Sequence, residues 1–181
     1  MIKNVAAFGF SESKPGDSEY DAAFRVSKLL AQNGYVIING GGPGVMRASS
    51  EGAKAGGGKA VGITFNPKDM THFEARDPGN PRDEVIMLDN YVERTLKLLE
   101  TGDVYVIFNG GTGTISEFGM AWGLARLYFG KHKPLILYGA FWHEILEAIG
   151  KNMLIRPEEL RVYRIVTTPQ EVLEEVKKLD K

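Results

Sequence analysis

The chain has 181 residues, 43% of them hydrophobic and 25% charged, with a formal net charge of -1; this is the composition of a single globular domain, 1–181, able to bury its own core. So balanced a charge excludes a general nucleic-acid binder, which carries a basic excess. The absence of cysteine excludes disulfides, thiolate metal centres and cysteine nucleophiles.

No run approaches the ~20 apolar residues of a membrane span. The opening "MIKNVAAFGF" has too short an apolar stretch for a signal peptide, so a cytoplasmic location is expected. "NVAAFGF" reads as the first strand. "YDAAFRVSKLLAQNG" repeats its apolar residues at three and four and ends on Gly34, an amphipathic helix with a stop. "YVIING" is the second strand. "PGVMRASSEGAKAG" is a helix expected to open on Pro43, which suits a first turn. "KAVGITF" and "EVIML" are strands three and four. "DNYVERTLKLLETG" is a helix capped by Asp89 or Asn90, with Val92, Leu96 and Leu99 as its expected buried stripe. "DVYVIF" is strand five, and "TISEFGMAWGLARLYFG" is a helix apolar on nearly every side. "KPLILYG", "AFWHEILEAIG", "YRIVTT" and "PQEVLEEVKKLD" complete the alternation. Strand and helix alternating along the whole chain predict an α/β fold, a Rossmann-like doubly wound parallel sheet of about seven strands with helices on both faces. The segment 66–83, "NPKDMTHFEARDPGNPRD", is a long polar connection. It reads as a lid or binding loop, or as a plain surface excursion.

Two strand-to-helix turns are rich in glycine: "NGGGPGVM" after strand two and "NGGTGTISE" after strand five. Ligands of open parallel sheets bind beyond the carboxyl ends of the strands, where these turns lie. Bare backbone amides and a helix N-terminus favour a phosphate, and Thr112 and Thr114 add hydroxyls. Neither turn carries the Gly-Lys-Ser/Thr of a Walker loop. Gly111 and Gly113 fit the first two places of G-x-G-x-x-G, but Ser116 stands at the third. A nicotinamide enzyme is therefore not expected. His72, His132 and His143 lack ligand spacing, so no metal and no resident cofactor is expected.

Glu117 has two readings. "TISE" fits a capping box, with Thr114 as cap and Glu117 reaching back to its amide. Glu117 is also placed to act as a carboxylate beside a phosphate site. Arg94 lies off the expected apolar stripe of its helix. It is either a solvated surface arginine or a fork of donors for phosphate.

"NGGTGTISE" resembles the P-G-G-x-G-T-x-x-E motif of the Lonely Guy family, the cytokinin-activating phosphoribohydrolases. "GGGPGVMRASSEGA" is similar to that family's G-G-G-x-x-G-x-M segment, and the likeness runs along essentially the whole chain. The family is related to proteins once labelled lysine decarboxylases, a label to which these residues give no chemical support. The resemblance implies hydrolysis of a nucleoside 5′-monophosphate, AMP-like, to free base and ribose 5-phosphate. It implies Glu117 and Arg94 as catalytic residues. Gly41, Gly42, Gly110, Gly111, Thr112, Gly113 and Thr114 are then the phosphate-binding turns. It also implies a homodimer that pairs near the site. Asn109 replaces the motif proline, and Thr95 replaces the lysine that follows the arginine. The superfamily also includes cofactor carriers such as the molybdenum cofactor carrier protein. A non-catalytic carrier of a nucleotide or phosphorylated cofactor is the alternative.

Overall fold

Seven short apolar runs become strands: β1 Asn4–Phe8, β2 Val36–Asn39, β3 Ala60–Phe65, β4 Glu84–Leu88, β5 Val104–Ile107, β6 Leu135–Tyr138 and β7 Tyr163–Val166. The helices between them are α1 Ser18–Gln32, α2 Val45–Ala55, α3 Tyr91–Thr101, α4 Thr112–Leu127, α5 Phe141–Asn152 and α6 Pro169–Leu179. A short 3-10 turn at Pro157–Arg161 follows α5. The structure is a computed structural model and describes residues 1–67 and 76–180. Among these, no helix is long and apolar enough to cross a membrane.

The strands form one parallel sheet in the order β4-β3-β2-β1-β5-β6-β7. This is the doubly wound, Rossmann-like sheet expected. The chain winds outward from β1 to β4, then returns to the other side of β1 with β5. The switch of direction falls between β1 and β5, where a crevice opens at the carboxyl edge.

Successive strand residues point to opposite faces, and both faces are apolar. Val5 and Ala7 of β1 join a core with Val26 and Leu30 of α1, Ala48 of α2 and Val172 of α6. Ala6 and Phe8 join the other core with Leu98 of α3, Phe118 of α4 and Leu146 of α5. Each fully buried Leu, Ile or Phe contributes roughly 1.5–3 kcal/mol. Double-sided burial is why these strands read as continuous apolar runs.

Local chemistry moved three expectations. Helix α2 starts at Val45, two residues after Pro43, because Gly44 adopts a φ of 63° at the cap and the Val45 amide donates to the Phe10 carbonyl at 2.9 Å. Helix α4 starts at Thr112 with Gly111 as cap, so Thr114 lies inside the helix and the Thr114–Glu117 capping box does not form. Helix α3 buries Arg94, Thr95, Leu98 and Leu99. Val92 and Leu96 face out, 59% and 48% exposed, so the buried stripe is rotated from the expected one.

Candidate functional site

A cavity of about 600 Å³ opens at the switch between β1 and β5. Its rim comes from the turn after β1, the glycine turn after β5 and the start of α3. Backbone bonds fix the turns against each other. Phe10 donates to the Asn109 carbonyl at 3.0 Å, and Val45 to the Phe10 carbonyl. Asn109, standing at the motif proline, thus ties the two turns through its carbonyl.

The glycines of the second turn divide into two kinds. A Cβ on Gly110 would meet Thr114 Oγ1 at 2.2 Å, so packing demands glycine there. A Cβ on Gly111 would meet nothing within 4 Å, and one on Gly113 only the Tyr91 hydroxyl at 3.8 Å. Neither adopts a positive φ. The chain's own fold therefore gives no reason for glycine at 111 and 113, and both line the cavity. Bare backbone at those places keeps the first amides of α4 open. These amides have no carbonyl partner within the helix, and no side chain caps them. Thr112 and Thr114 line the same wall. Such an array favours a phosphate or another anion.

At the floor of the cavity Arg94 and Glu117 meet. Arg94 Nη1 donates to Glu117 Oε1 at 2.6 Å, with both side chains almost wholly buried. Arg94 Nε donates to the Ile63 carbonyl at 3.1 Å. Its Nη2 lies 3.7 Å from the Met46 sulfur, a weak acceptor. The remaining Nη hydrogens, and the one that meets only the sulfur, are thus left for an oxygen ligand. A Cβ on Gly40 would fall 1.5 Å from Nη2, so glycine at 40 is what lets the guanidinium lie in place. Burial pushes the Glu117 carboxyl up, and the Arg94 charge and hydrogen bond oppose it; the net direction is upward.

The structure therefore brings together Arg94, Glu117, Gly111, Thr112, Gly113 and Thr114 along one cavity. Gly110 lies behind them as packing. Gly41 and Gly42 do not line it. Their carbonyls are held by the chain that precedes β4: the Asp77 amide and Arg82 Nη1 donate to Gly41, and Asn80 Nδ2 to Gly42 at 2.8 Å. Arg82 also donates to the Asp77 carbonyl, and Arg76 to Asn66 Oδ1. The described part of the 66–83 segment thus rests on the first glycine turn, while residues 68–75 lie outside the described residues, as does His72.

Sequence reasoning did not single out Gly40, Met46 or Tyr91, all of which border the cavity. Gly40 had a signal, as a member of the first glycine run. Thr95 is fully buried, and its hydroxyl donates to the Tyr91 carbonyl at 2.9 Å, so it offers nothing to the cavity. Among the described residues, no group of three His, Cys, Asp or Glu is placed to hold a metal ion.

Residues 3–157 match the SLOG cluster4 family. An uncharacterized protein of Archaeoglobus fulgidus is 34% identical over 123 residues, 68% of this chain and 77% of that protein. The cytokinin riboside 5′-monophosphate phosphoribohydrolase of Mycobacterium tuberculosis is 31% identical over 125 residues, which are 68% of this chain and span 64% of that enzyme. In fold, the chain is similar to the molybdenum cofactor binding protein of Rippkaea orientalis, with a TM-score of 0.71 at 24% identity over 100% of this chain and 99% of that one. The expected Lonely Guy resemblance accords with these findings, and the chain belongs to the SLOG cluster4 family.

Proposed function

We propose that this protein hydrolyses the N-glycosidic bond of a nucleoside 5′-monophosphate, AMP-like, releasing free base and ribose 5-phosphate. The observation that carries the reading is the buried Arg94–Glu117 pair at the floor of a cavity whose wall is bare glycine-turn backbone. The similarity to an enzyme named for this reaction supports it. The open amides of α4 hold the phosphate, and the free donors of Arg94 reach a second ligand oxygen. Departure of the base leaves positive charge on C1′ of the sugar, as in glycoside cleavage. The Glu117 carboxylate steadies that charge and aligns the water that attacks C1′. The base leaves with the C1′–N bonding pair and takes up a proton, and the water oxygen becomes the new C1′ hydroxyl. Binding energy at the phosphate is thereby spent on placing C1′ against the carboxylate. Incubation with a panel of nucleoside monophosphates, following free base and ribose 5-phosphate, tests the reading. Tight binding of a monophosphate without release of any base overturns it.

That outcome would favour the second reading, a non-catalytic carrier of a nucleotide or phosphorylated cofactor. One observation favours it: Thr95 stands where the resemblance places a lysine and is buried away from the cavity. We also infer that two copies pair through the exposed apolar side of α3 and α4.

A further inference from the structure

Tyr91 and Ser116 border the cavity, and the reaction as written uses neither. Ser116 is the residue that breaks the G-x-G-x-x-G spacing. Its Oγ lies 2.8 Å from the Gly113 carbonyl oxygen and 2.6 Å from the Tyr91 phenolic oxygen. A carbonyl oxygen only accepts, so the Ser116 proton goes to Gly113. Ser116 then has only lone pairs for its other neighbour, and the phenol must be the donor. With both bonds made, the chain runs from Tyr91 to Ser116 to Gly113. The Tyr91 oxygen keeps its lone pairs and has no proton to give. The ring is also held in place. Phe65 meets it edge-on with centroids 6.0 Å apart, and the Arg94 guanidinium carbon lies 5.8 Å from its centre. The result is an oriented acceptor on the cavity wall between the glycine turn and the ion pair.

We propose that Tyr91 is a specificity-determining residue whose phenolic oxygen accepts a hydrogen bond from a ribose hydroxyl of the ligand. The inference rests on the nucleoside monophosphate reading, in which phosphate sits on the turn and C1′ beside Glu117. The sugar then spans the interval that Tyr91 borders. Phosphate oxygens are acceptors and do not satisfy lone pairs. The sugar hydroxyls are the donors that such a ligand offers there.

The test is calorimetric binding of AMP, 2′-deoxy-AMP and 3′-deoxy-AMP to the Glu117→Gln protein, which keeps the nucleotide intact. The same three ligands are titrated into that protein carrying Tyr91→Phe or Ser116→Ala, each checked for folding by circular dichroism. Removing one of the two hydroxyls should weaken binding about tenfold, the net effect of one hydrogen bond. Tyr91→Phe should weaken AMP by about the same factor and make AMP and that analogue bind equally. Ser116→Ala should retain the preference, since the phenolic lone pairs remain. Should both substitutions weaken all three ligands alike, the hydroxyl pair is only a tie between α3 and α4 and the proposal falls. It falls equally if Tyr91→Phe leaves the preference intact. Failure of every monophosphate to bind the parent protein would sink the underlying reading instead, and this inference with it.

Discussion

Removing the charge of Glu117 while keeping its shape separates its readings. As a capping residue it would tolerate glutamine with a loss of about 1 kcal/mol or less, but the structure gives it Arg94 instead of the helix amide. Glu117→Gln leaves Arg94 buried without its counter-charge, although the amide oxygen still accepts from it. The expected loss of stability is ~3 kcal/mol, the low end for breaking a buried pair. Turnover is expected to fall roughly 100-fold or more, the usual effect of removing a charge-stabilising group. AMP affinity should not fall, because in the proposed reading the phosphate is held by the α4 amides and by the Arg94 donors that Glu117 does not occupy. Denaturant melts, calorimetry and base release on one variant check all three. Hydrolysis at the parental rate would remove Glu117 from the mechanism. The pH profile offers a separate check. In the proposed reaction the working form is the carboxylate, and burial raises its pKa above the ordinary glutamate value of 4.5. Activity should therefore be lost as pH falls through a limb lying above 4.5. A rate held constant down to that pH would show that no buried carboxylate has to ionise.

Helix α3 carries Arg94 one turn from its start, so its cap bears on the site. The Asn90 side chain accepts from the Glu93 amide at 3.0 Å. Asn90→Ala should cost about 1 kcal/mol, read as a lower denaturant midpoint with unchanged slope. No change in midpoint would mean that water caps this helix as well as Asn90 does. The strands and helices of this fold were legible because β-branched and aromatic runs alternate with amphipathic ones, bounded by glycine and asparagine. The β4 segment "EVIML" coincides with its strand residue for residue. The rotation of α3 was not legible. Val92, Leu96 and Leu99 look like a buried stripe, but a local pattern cannot register a carboxylate 23 positions onward that permits Arg94 to be buried. The cap of α4 failed for a related reason. Thr-x-x-Glu satisfies the capping pattern, yet the helix begins earlier, at Thr112 behind a Gly111 cap, where open backbone replaces a side-chain cap. The two glycine turns pointed to the edge of the sheet where the cavity opens, while which glycines face it depended on packing against Thr114 and Arg94.

At the scale of the whole molecule, α4 presents a face that its own chain does not explain. Ile115, Gly119, Gly123 and Leu127 follow one another at intervals of four and are all exposed. A Cβ on Gly119 or Gly123 would meet nothing within 4 Å. Glycine inside a helix costs about 1 kcal/mol relative to alanine, and neither position has a packing reason within the chain to bear that cost. The surrounding surface is apolar: Leu124, Leu127 and Tyr128 at the end of α4 are 37%, 71% and 63% exposed, Val92 and Leu96 of α3 are exposed as well, and Leu96 lines one groove with Leu124 and Tyr128. The alternative explanation of an all-round apolar helix, full cover by its own chain, does not hold for this face. Small residues let a second helix approach closely, and exposed apolar side chains on both sides give such an approach its driving force. A second copy of the chain, related by a two-fold axis, would satisfy both at once. The protein is therefore expected to be a dimer by light scattering at micromolar concentration. Gly123→Arg should give a monomer that remains folded, because a Cβ at that position meets nothing within 4 Å in its own subunit and the longer side chain starts out into open space. A parent protein that scatters as a monomer, or a Gly123→Arg variant that stays dimeric, would show that this face of α4 is not the contact between copies.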